Sequence, residues 1–354
     1  MTGDGPVRIG VIGLGTIGRI HALRIDELGG ELVGADLDEG ARASFADDFD
    51  APTHSDHRAL LEAGVDAVIV GVPNRFHEEI AVDALDAGVD VLLEKPLAHS
   101  VESAERIAAT AREADGFCTV GFTMRFSSLT GRAVDLREEG AFGALSHVSV
   151  DYLRRGGVPG DGRGWFVDED LAGGGVLMDL GVHVVDLALY LLDYPTVVEV
   201  SGTIRSEFGD YDVDDSATAL LRCADGQTVS VETSWHGTAA PSRTCVVRGT
   251  EAGAAFEVNG SEFDFVSADA GADIETVTVE TNDMHLAEDR AFLEAVAGTR
   301  EPPEGSVEEA LVVQRVVDAI YESSASGRAV RLGSRTRTVG ERAYESSERV
   351  ERTR

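Results

Sequence analysis

The apolar pattern opens with a short β-branched run, Val7–Ile12, that stops at Gly13-Leu14-Gly15-Thr16-Ile17-Gly18. Beyond this turn apolar residues recur at helical spacing, and a second strand-like run follows at Glu31–Asp36. The alternation continues with strand signals at Ala67–Gly71, Val89–Leu93 and Cys118–Gly121, and helical patterns at Glu78–Ala87 and Val101–Glu113. Short apolar strands divided by helices of about 10–15 residues predict an α/β, doubly wound parallel sheet.

The pattern changes after Phe126. A helical stretch (Leu129–Glu138) and a strand (Ser146–Arg154) lead into a glycine-rich loop and a helix at Val176–Leu192. Strand signals then follow one another at Val197–Ile204, Ser216–Cys223, Thr228–Trp235, Thr244–Arg248, Ala254–Val258 and Glu275–Glu280. Turn pairs such as Asp225-Gly226 and Asn259-Gly260 separate several of them, which predicts an antiparallel meander. Helices are expected at Leu286–Ala297 and Val307–Ser324. At 354 residues the chain is too long for one ordinary core. The expected division is a domain at 1–125, an α+β domain with an open, mostly antiparallel sheet at 126–332, and a peripheral tail at 333–354.

Composition narrows the class of protein. The 64 acidic residues outnumber the 30 basic ones for a net charge of −34, which argues against nucleic acid or an anionic membrane as a partner. The acids are spread along the chain, and the basic residues are all arginine except Lys95. At molar salt the Debye length is about 3 Å, so crowded carboxylates cease to repel and hold cations and water instead. The sequence therefore reads as that of an extreme halophile. No apolar stretch is expected to reach the roughly 20 residues that cross a bilayer, and MTGDGPVR has no signal-peptide core, so a cytoplasmic location is expected. Cys118, Cys223 and Cys245 lack metal-binding spacing and read as buried thiols, with no metal site expected.

Three constellations carry chemistry. Gly13, Gly15 and Gly18 follow a strand, open a helix, and are answered by Asp36 at the end of the next strand. Gly13 suits the tight turn, Gly15 the approach of a pyrophosphate, and Gly18 close packing of helix on strand, while Asp36 can accept from ribose hydroxyls. These are the marks of a Rossmann domain. Asp36-Leu37-Asp38 would repel a 2′-phosphate and the nearest arginine, Arg42, is a helical turn away, so NAD is favoured with NADP open. Lys95, in Glu94-Lys95-Pro96, sits just past a strand at the carboxyl edge of the sheet, where an ammonium can polarise a hydroxyl or carbonyl. The third block runs from Gly173-Gly174-Gly175 to Asp179, Gly181, His183 and Asp186. Asp179 and His183 are four apart and share a helical face, which Asp186 continues; taken alone, such a pair is more often a plain structural hydrogen bond. His54 and His57 read as loop residues, not metal ligands.

Taken in order, the GLGTIG turn, Val72-Pro73-Asn74 with His77, Glu94-Lys95-Pro96, Gly121-Phe122 with Arg125, and the Gly173–Asp186 block resemble the glucose–fructose oxidoreductase / inositol dehydrogenase family (Gfo/Idh/MocA). The likeness covers roughly residues 7–332, and its linked motifs make it specific. It implies an NAD(P)-dependent dehydrogenase or reductase of sugars or polyols. It also implies that Lys95, Asp179 and His183 are catalytic and touch substrate. Gly13, Gly15, Thr16, Ile17, Gly18 and Asp36 would hold the dinucleotide, with Pro73, Asn74, His77, Glu94, Lys95 and Arg125 around the nicotinamide end. Arg125 and Trp165 would form the substrate rim, although a buried indole is an equal alternative for Trp165. Two other functions stay open: NAD-assisted glycoside cleavage, and a non-catalytic dinucleotide-sensing regulator. The open sheet is expected to pair subunits into a homodimer or homotetramer, because an apolar sheet face must be covered.

The charge balance has a measurable consequence. In dilute buffer, repulsion among carboxylates should unfold the chain, and molar KCl should raise melting temperature and any activity together, with sucrose rescuing only in part. A melting temperature that stays flat from low to multimolar KCl would contradict salt adaptation.

Overall fold

The computed structural model describes residues 6–159, 164–236, 240–268 and 273–333. The five strand-like runs of the N-terminal part lie in one parallel sheet with a sixth strand of two residues, too short to show a periodicity. The strands are β1 (Arg8–Ile12), β2 (Glu31–Ala35), β3 (Thr53–His54), β4 (Ala67–Val70), β5 (Asp90–Leu93) and β6 (Cys118–Val120), in the order β3-β2-β1-β4-β5-β6. All of β4 is buried, which is why a parallel strand reads as an unbroken apolar run.

The later strands build a second sheet. They are β7 (Leu145–Leu153), β8 (Val197–Arg205), β9 (Ser216–Cys223), β10 (Thr228–Ser234), β11 (Thr244–Gly249), β12 (Ala252–Glu257), β13 (Glu262–Ser267), β14 (Glu275–Thr278) and β15 (Val330–Arg331). The order is β14-β13-β12-β11-β7-β10-β9-β8-β15, so the sheet is not a plain meander. β7 lies in its middle, antiparallel to β11 but parallel to β10, with Val150 opposite Val231. β13 was not among the expected strands; its Phe263 is buried and stacks on Phe256 with ring centroids 5.3 Å apart. The alternation of Glu262 and Asp264 with Phe263 and Phe265 is itself the period of a half-buried strand.

β9 alternates cleanly, with Ala217, Ala219, Leu221 and Cys223 inward. The inner face is covered by the chain itself. Helix Val182–Leu191 packs on β7 and β10, and a side chain on Gly202 would meet Ile320 of helix Val307–Ser326 at 2.7 Å. The outer face presents Thr218, Arg222 and Glu232, with Leu220 the apolar exception. The apolar inner face is thus covered within the chain, and the outer face is the one left open to a second subunit.

The chain divides into two compact units, and not at a single boundary. The first is Met1–Ser127, Gly160–Gly175 and Asn282–Gln314; the second is Ser128–Pro159, Val176–Thr281 and Arg315–Arg354. The expected cut between 125 and 126 is thus close for the first crossing, but two later segments return to the first unit. Apolar packing recruits the second of these. Phe292 of helix Met284–Val296 is fully buried in the core with Ile9, Val11 and Phe45, and meets Phe117 edge-on. Val120 N–H also donates to Gly305 O at 2.9 Å. The expected tail at 333–354 lies outside the described residues beyond Gly333.

Inside the first unit, three segments meet on one buried imidazole. His21, on helix Thr16–Glu27, has Nδ1 at 2.6 Å from Asp289 Oδ1 and Nε2 at 3.0 Å from Glu94 Oε1. Burial opposes charge on the ring, but the charge and hydrogen bond of Asp289, reinforced by Glu94, raise its pKa from 6.5 to about 10. Glu288 beside it is pushed the other way. Burial and the Glu94 charge raise its pKa well above the ordinary glutamate value, and it takes a hydrogen bond from Thr123 Oγ1.

A raised histidine pKa contributes stability that is complete below the unfolded value, near 6.5, and is lost as pH rises through about 10. Stability should therefore decline from pH 7 toward pH 10. His21→Leu should cost about 3–5 kcal/mol near neutrality by stranding two carboxylates and should flatten that decline. Denaturant melts of both proteins across this range test the point; parallel pH profiles would refute it.

Candidate active site

The first unit contains a built dinucleotide cradle. Gly13 adopts φ +89°, and a Cβ there would sit 2.5 Å from Gly71 O. A Cβ on Gly18 would lie 1.9 Å from Gly13 O, so strand and helix approach only because both residues are glycine. Gly15 faces open space, and Gly15, Thr16 and Ile17 are exposed. Helix Thr16–Glu27 starts with no side-chain cap and no acidic residue in its first turn, leaving its N–H groups and positive dipole end available to a pyrophosphate.

Asp36 closes the cradle, accepting from Leu14 N at 2.7 Å and Asp38 N at 2.9 Å, one bond per carboxylate oxygen. Each oxygen keeps acceptor capacity for a ribose hydroxyl. Arg42 is nearer than its sequence position suggests. The helix turns it back so that Nη1 donates to Asp36 O at 2.7 Å and Leu37 O at 3.1 Å. A cation thus stands beside the ribose acceptor, a position that tempers the repulsion of a 2′-phosphate.

The loop leaving β5 holds Glu94 and Lys95 at the carboxyl edge of the same sheet. Glu94 takes the His21 bond through one oxygen, and its other oxygen accepts from Lys95 N at 3.1 Å. Lys95 is half-buried and precedes Pro96 through a cis peptide bond. Gly121 lies beside the Glu94 carboxylate, at a distance where a Cβ would make ordinary contact, 3.5 Å. Gly173 adopts φ +79° and passes so close to His99 that a Cβ would lie 2.1 Å from its carbonyl oxygen. What the first glycine of the triplet approaches is thus backbone of the loop following Lys95.

Several residues expected to touch ligand instead hold this loop system. His77 is fully buried, with ring nitrogens 2.9 Å from Pro96 O and 3.0 Å from Val72 O. Burial lowers its pKa, so the ring is neutral and its single proton serves one carbonyl at a time. Asn74 is buried and donates to Ala172 O at 2.8 Å. Pro73 begins the short turn Asn74–Phe76 between them. Arg125 is not on a rim: its side chain is 1% exposed and pairs with Glu309 at 2.9 Å, with Phe122 beneath it. Helix and loop segments returning from 282–314 bury it, which local sequence could not announce. Trp165 is half-buried and stacks on Phe166 at 4.0 Å, so neither a fully buried role nor a bare rim describes it.

The second unit carries the other candidates. The helix expected at Val176–Leu192 is not uniform: residues Leu177–Gly181 form a π turn, and a regular α-helix runs over Val182–Leu191. Such turns widen a helix and are frequent at functional sites. Asp214 secures the start, accepting from Val176 N through its carbonyl and from Leu177 N through its carboxylate, both at 2.8 Å. Asp179, on the π turn, is 7% exposed, and its Oδ2 accepts from Trp235 Nε1 at 2.9 Å. Arg154 Nη1 is 3.9 Å from the same oxygen. His183 is half-buried one turn on. Asp186 is buried and accepts from Tyr194 OH, which makes it a structural carboxylate.

Trp235 and Arg154 are the partners that the motif could not name. The parallel pairing of β7 and β10 sets their strand ends side by side, and Arg154 N–H donates to Ser234 O at 2.8 Å. Tyr211 meets the Trp235 ring edge-on and lies 3.1 Å from His236 Nε2. Burial and the adjacent Asp215 push its phenol up to about 12, so it stays protonated as a donor. The usable signal was a tryptophan closing a strand in a chain with only two.

Elsewhere, His57, Glu79 and Asp83 come together, but Arg58 binds Glu79 and Asp83, both at 2.8 Å, and supplies the positive charge there. The three cysteines are free and buried, and burial raises their pKa values. Glu169–Leu191 does contain a window long and apolar enough to cross a membrane, contrary to expectation, yet 89% of that window is buried in protein.

Comparison with known proteins places the fold in a family. Residues 7–122 match the model for the oxidoreductase family with an NAD-binding Rossmann fold, and residues 131–255 match the GFO/IDH/MocA C-terminal domain. D-glucoside 3-dehydrogenase of Escherichia coli is 30% identical over 92% of this chain and 98% of its own. D-xylose 1-dehydrogenase (NADP(+)) 2 of Haloferax volcanii is 31% identical, again over 92% of this chain and 98% of its own. The solved levoglucosan dehydrogenase in complex with NADH shares the fold with a TM-score of 0.85 at 24% identity, over 93% of this chain and 100% of that one. The chain belongs to the Gfo/Idh/MocA family of oxidoreductases with an NAD-binding Rossmann domain.

Proposed function

We propose that the protein is an NAD(P)-dependent oxidoreductase that interconverts a secondary or anomeric hydroxyl of a sugar or polyol with its carbonyl. The observation that supports this most is one conjunction in the first unit. An uncapped glycine-turn helix start, closed by Asp36, shares a sheet edge with the only lysine of the chain. Gly13, Gly15, Thr16, Ile17, Gly18 and Asp36 hold the dinucleotide, which when bound supplies the hydride acceptor or donor.

Lys95 donates a hydrogen bond to the substrate oxygen and favours its alkoxide character. His183 accepts the hydroxyl proton, and Asp179, oriented by the Trp235 indole, holds a neighbouring hydroxyl or aligns His183. Glu94 pairs with the His21 imidazole through one oxygen and steadies the Lys95 backbone through the other. NAD is the preferred cofactor, with NADP accepted through Arg42. The same proposal makes the protein cytoplasmic and salt-adapted. Any homodimer or homotetramer formed through the outer sheet face would rest on polar contacts, given the residues displayed there.

Lys95→Arg should leave folding and NADH binding nearly intact but lower kcat by about 10²-fold or more, since a guanidinium fork cannot take the place of a compact ammonium. The assay is initial rates on a panel of sugars and polyols in about 2–4 M KCl, chosen because screening at that strength is short-ranged. Activity within a few fold of the parent would remove Lys95 from its role. Asp36→Ala should raise the KM for NAD and narrow the preference over NADP; an unchanged ratio would assign discrimination to Arg42.

A further inference from the structure

The strand ends that bring Trp235 to Asp179 also frame a cavity of about 530 Å³, built wholly from the second unit. The end of β7 contributes Tyr152, Arg154 and Arg155; the approach to β11 contributes Arg243; and Glu257 and Asn259 close it from the end of β12. Antiparallel bonds between Leu153 and Ser242, at 2.9 and 3.1 Å, hold the first two segments together.

Three guanidinium groups therefore line one concavity in a protein of net charge −34. Several arginines elsewhere sit against a carboxylate, as in Arg8 with Glu31 at 3.1 Å, Arg58 with Asp83 at 2.8 Å and Arg125 with Glu309 at 2.9 Å. In the cavity no such close pair forms. The closest carboxylate to Arg154 is Asp179 at 3.9 Å, and Arg155 and Arg243 form no ion pair with a described residue. The one acid in the lining, Glu257, accepts from Arg243 N at 2.9 Å through one oxygen and from Thr244 Oγ1 at 2.7 Å through the other. Arg243 is aimed, not loose: it donates to Tyr152 OH and lies over that ring at 4.3 Å.

Like charges gathered in a concavity repel unless an anion joins them, and the guanidinium fork matches carboxylate and phosphate oxygens two at a time. Arg154 ties this cavity to chemistry, because it lines the wall and its other neighbour is the candidate catalytic Asp179. Resting on the oxidoreductase proposal above, we infer that the cavity receives an anionic group of the substrate. The substrate class is then a sugar bearing a carboxylate or a phosphate, not a neutral aldose or polyol.

The test separates binding from turnover. Calorimetric titrations at the lowest KCl that keeps the protein folded would use glucose, glucuronate, gluconate, glucose 1-phosphate and glucose 6-phosphate, with and without NAD. At least one anionic sugar should bind about tenfold or more tighter than glucose, as expected for a charged hydrogen-bonded group. The carboxylate and phosphate arms identify which anion is preferred. Arg155→Glu and Arg243→Gln should each weaken that binding about tenfold or more, while Arg222→Gln, on the outer sheet face, should leave it unchanged. Equal binding of neutral and anionic sugars, or no loss in the cavity variants with melting temperatures preserved, would overturn the inference. Reduction of NAD in the same mixtures tests the oxidoreductase proposal separately: binding without turnover would sustain the anion site and defeat the reaction, and turnover of neutral sugars alone would do the reverse.

Discussion

A carboxylate removed from water must find a directed donor or give up its charge, and a chain with 64 acids meets that constraint wherever it folds. Each buried acid near the candidate sites shows one of these outcomes. Asp289 and Glu94 share the His21 imidazolium, Asp179 takes the Trp235 indole, and Asp186 takes the Tyr194 phenol. Asp214 and Asp215 accept backbone N–H groups of the segments they anchor. Glu288 takes the Thr123 hydroxyl, and burial pushes its pKa up toward the neutral form.

These donors do more than neutralise. Hydrogen bonds are directional, so a satisfied buried carboxylate also fixes the geometry of what it touches. The His21 bridge links helix Thr16–Glu27, which begins at the dinucleotide turn, to the loop that carries Lys95 and to helix Met284–Val296. His77 and Asn74 tie the turn after β4 to Pro96 and to Ala172. The groups proposed for chemistry are thus held from behind by residues that a motif comparison would count among the ligand contacts. In the second unit the Trp235 indole plays the same part for Asp179, from the end of a central strand.

The near absence of lysine sharpens the contrast between surface and site. Arginine presents a weakly hydrated fork that pairs well with carboxylates, and the exposed pairs of Arg58 and Arg106 show that use. Such surface pairs contribute little each and serve solubility and hydration more than stability. Lys95 does not belong to that pattern. It stands at the carboxyl edge of a parallel sheet, where the fold itself directs ligands, and where a compact ammonium with an adjustable proton has a use that a guanidinium lacks.

The strands of the first sheet, the glycine turn, Asp36 and the isolation of Lys95 were legible in the sequence because each depends on contacts between near neighbours or on local backbone freedom. A buried parallel strand writes an apolar run, and a glycine that must adopt φ +89° or admit a backbone leaves itself as the only residue that fits. The alternation of β9 was legible for the same reason, whereas the two-residue β3 carried too little pattern to show. Tertiary structure alone decided which side chains are inside. Arg125 looked like a ligand contact until residues nearly two hundred positions away buried it against Glu309, and His77 until two loop carbonyls closed on its ring. The parallel pairing of β7 with β10 likewise set Arg154 and Trp235 beside Asp179, although they stand 25 and 56 residues from it. Periodicity records what a residue does for its own element; burial and partnership depend on strand order and on segments that return from far along the chain, and no local spacing encodes those.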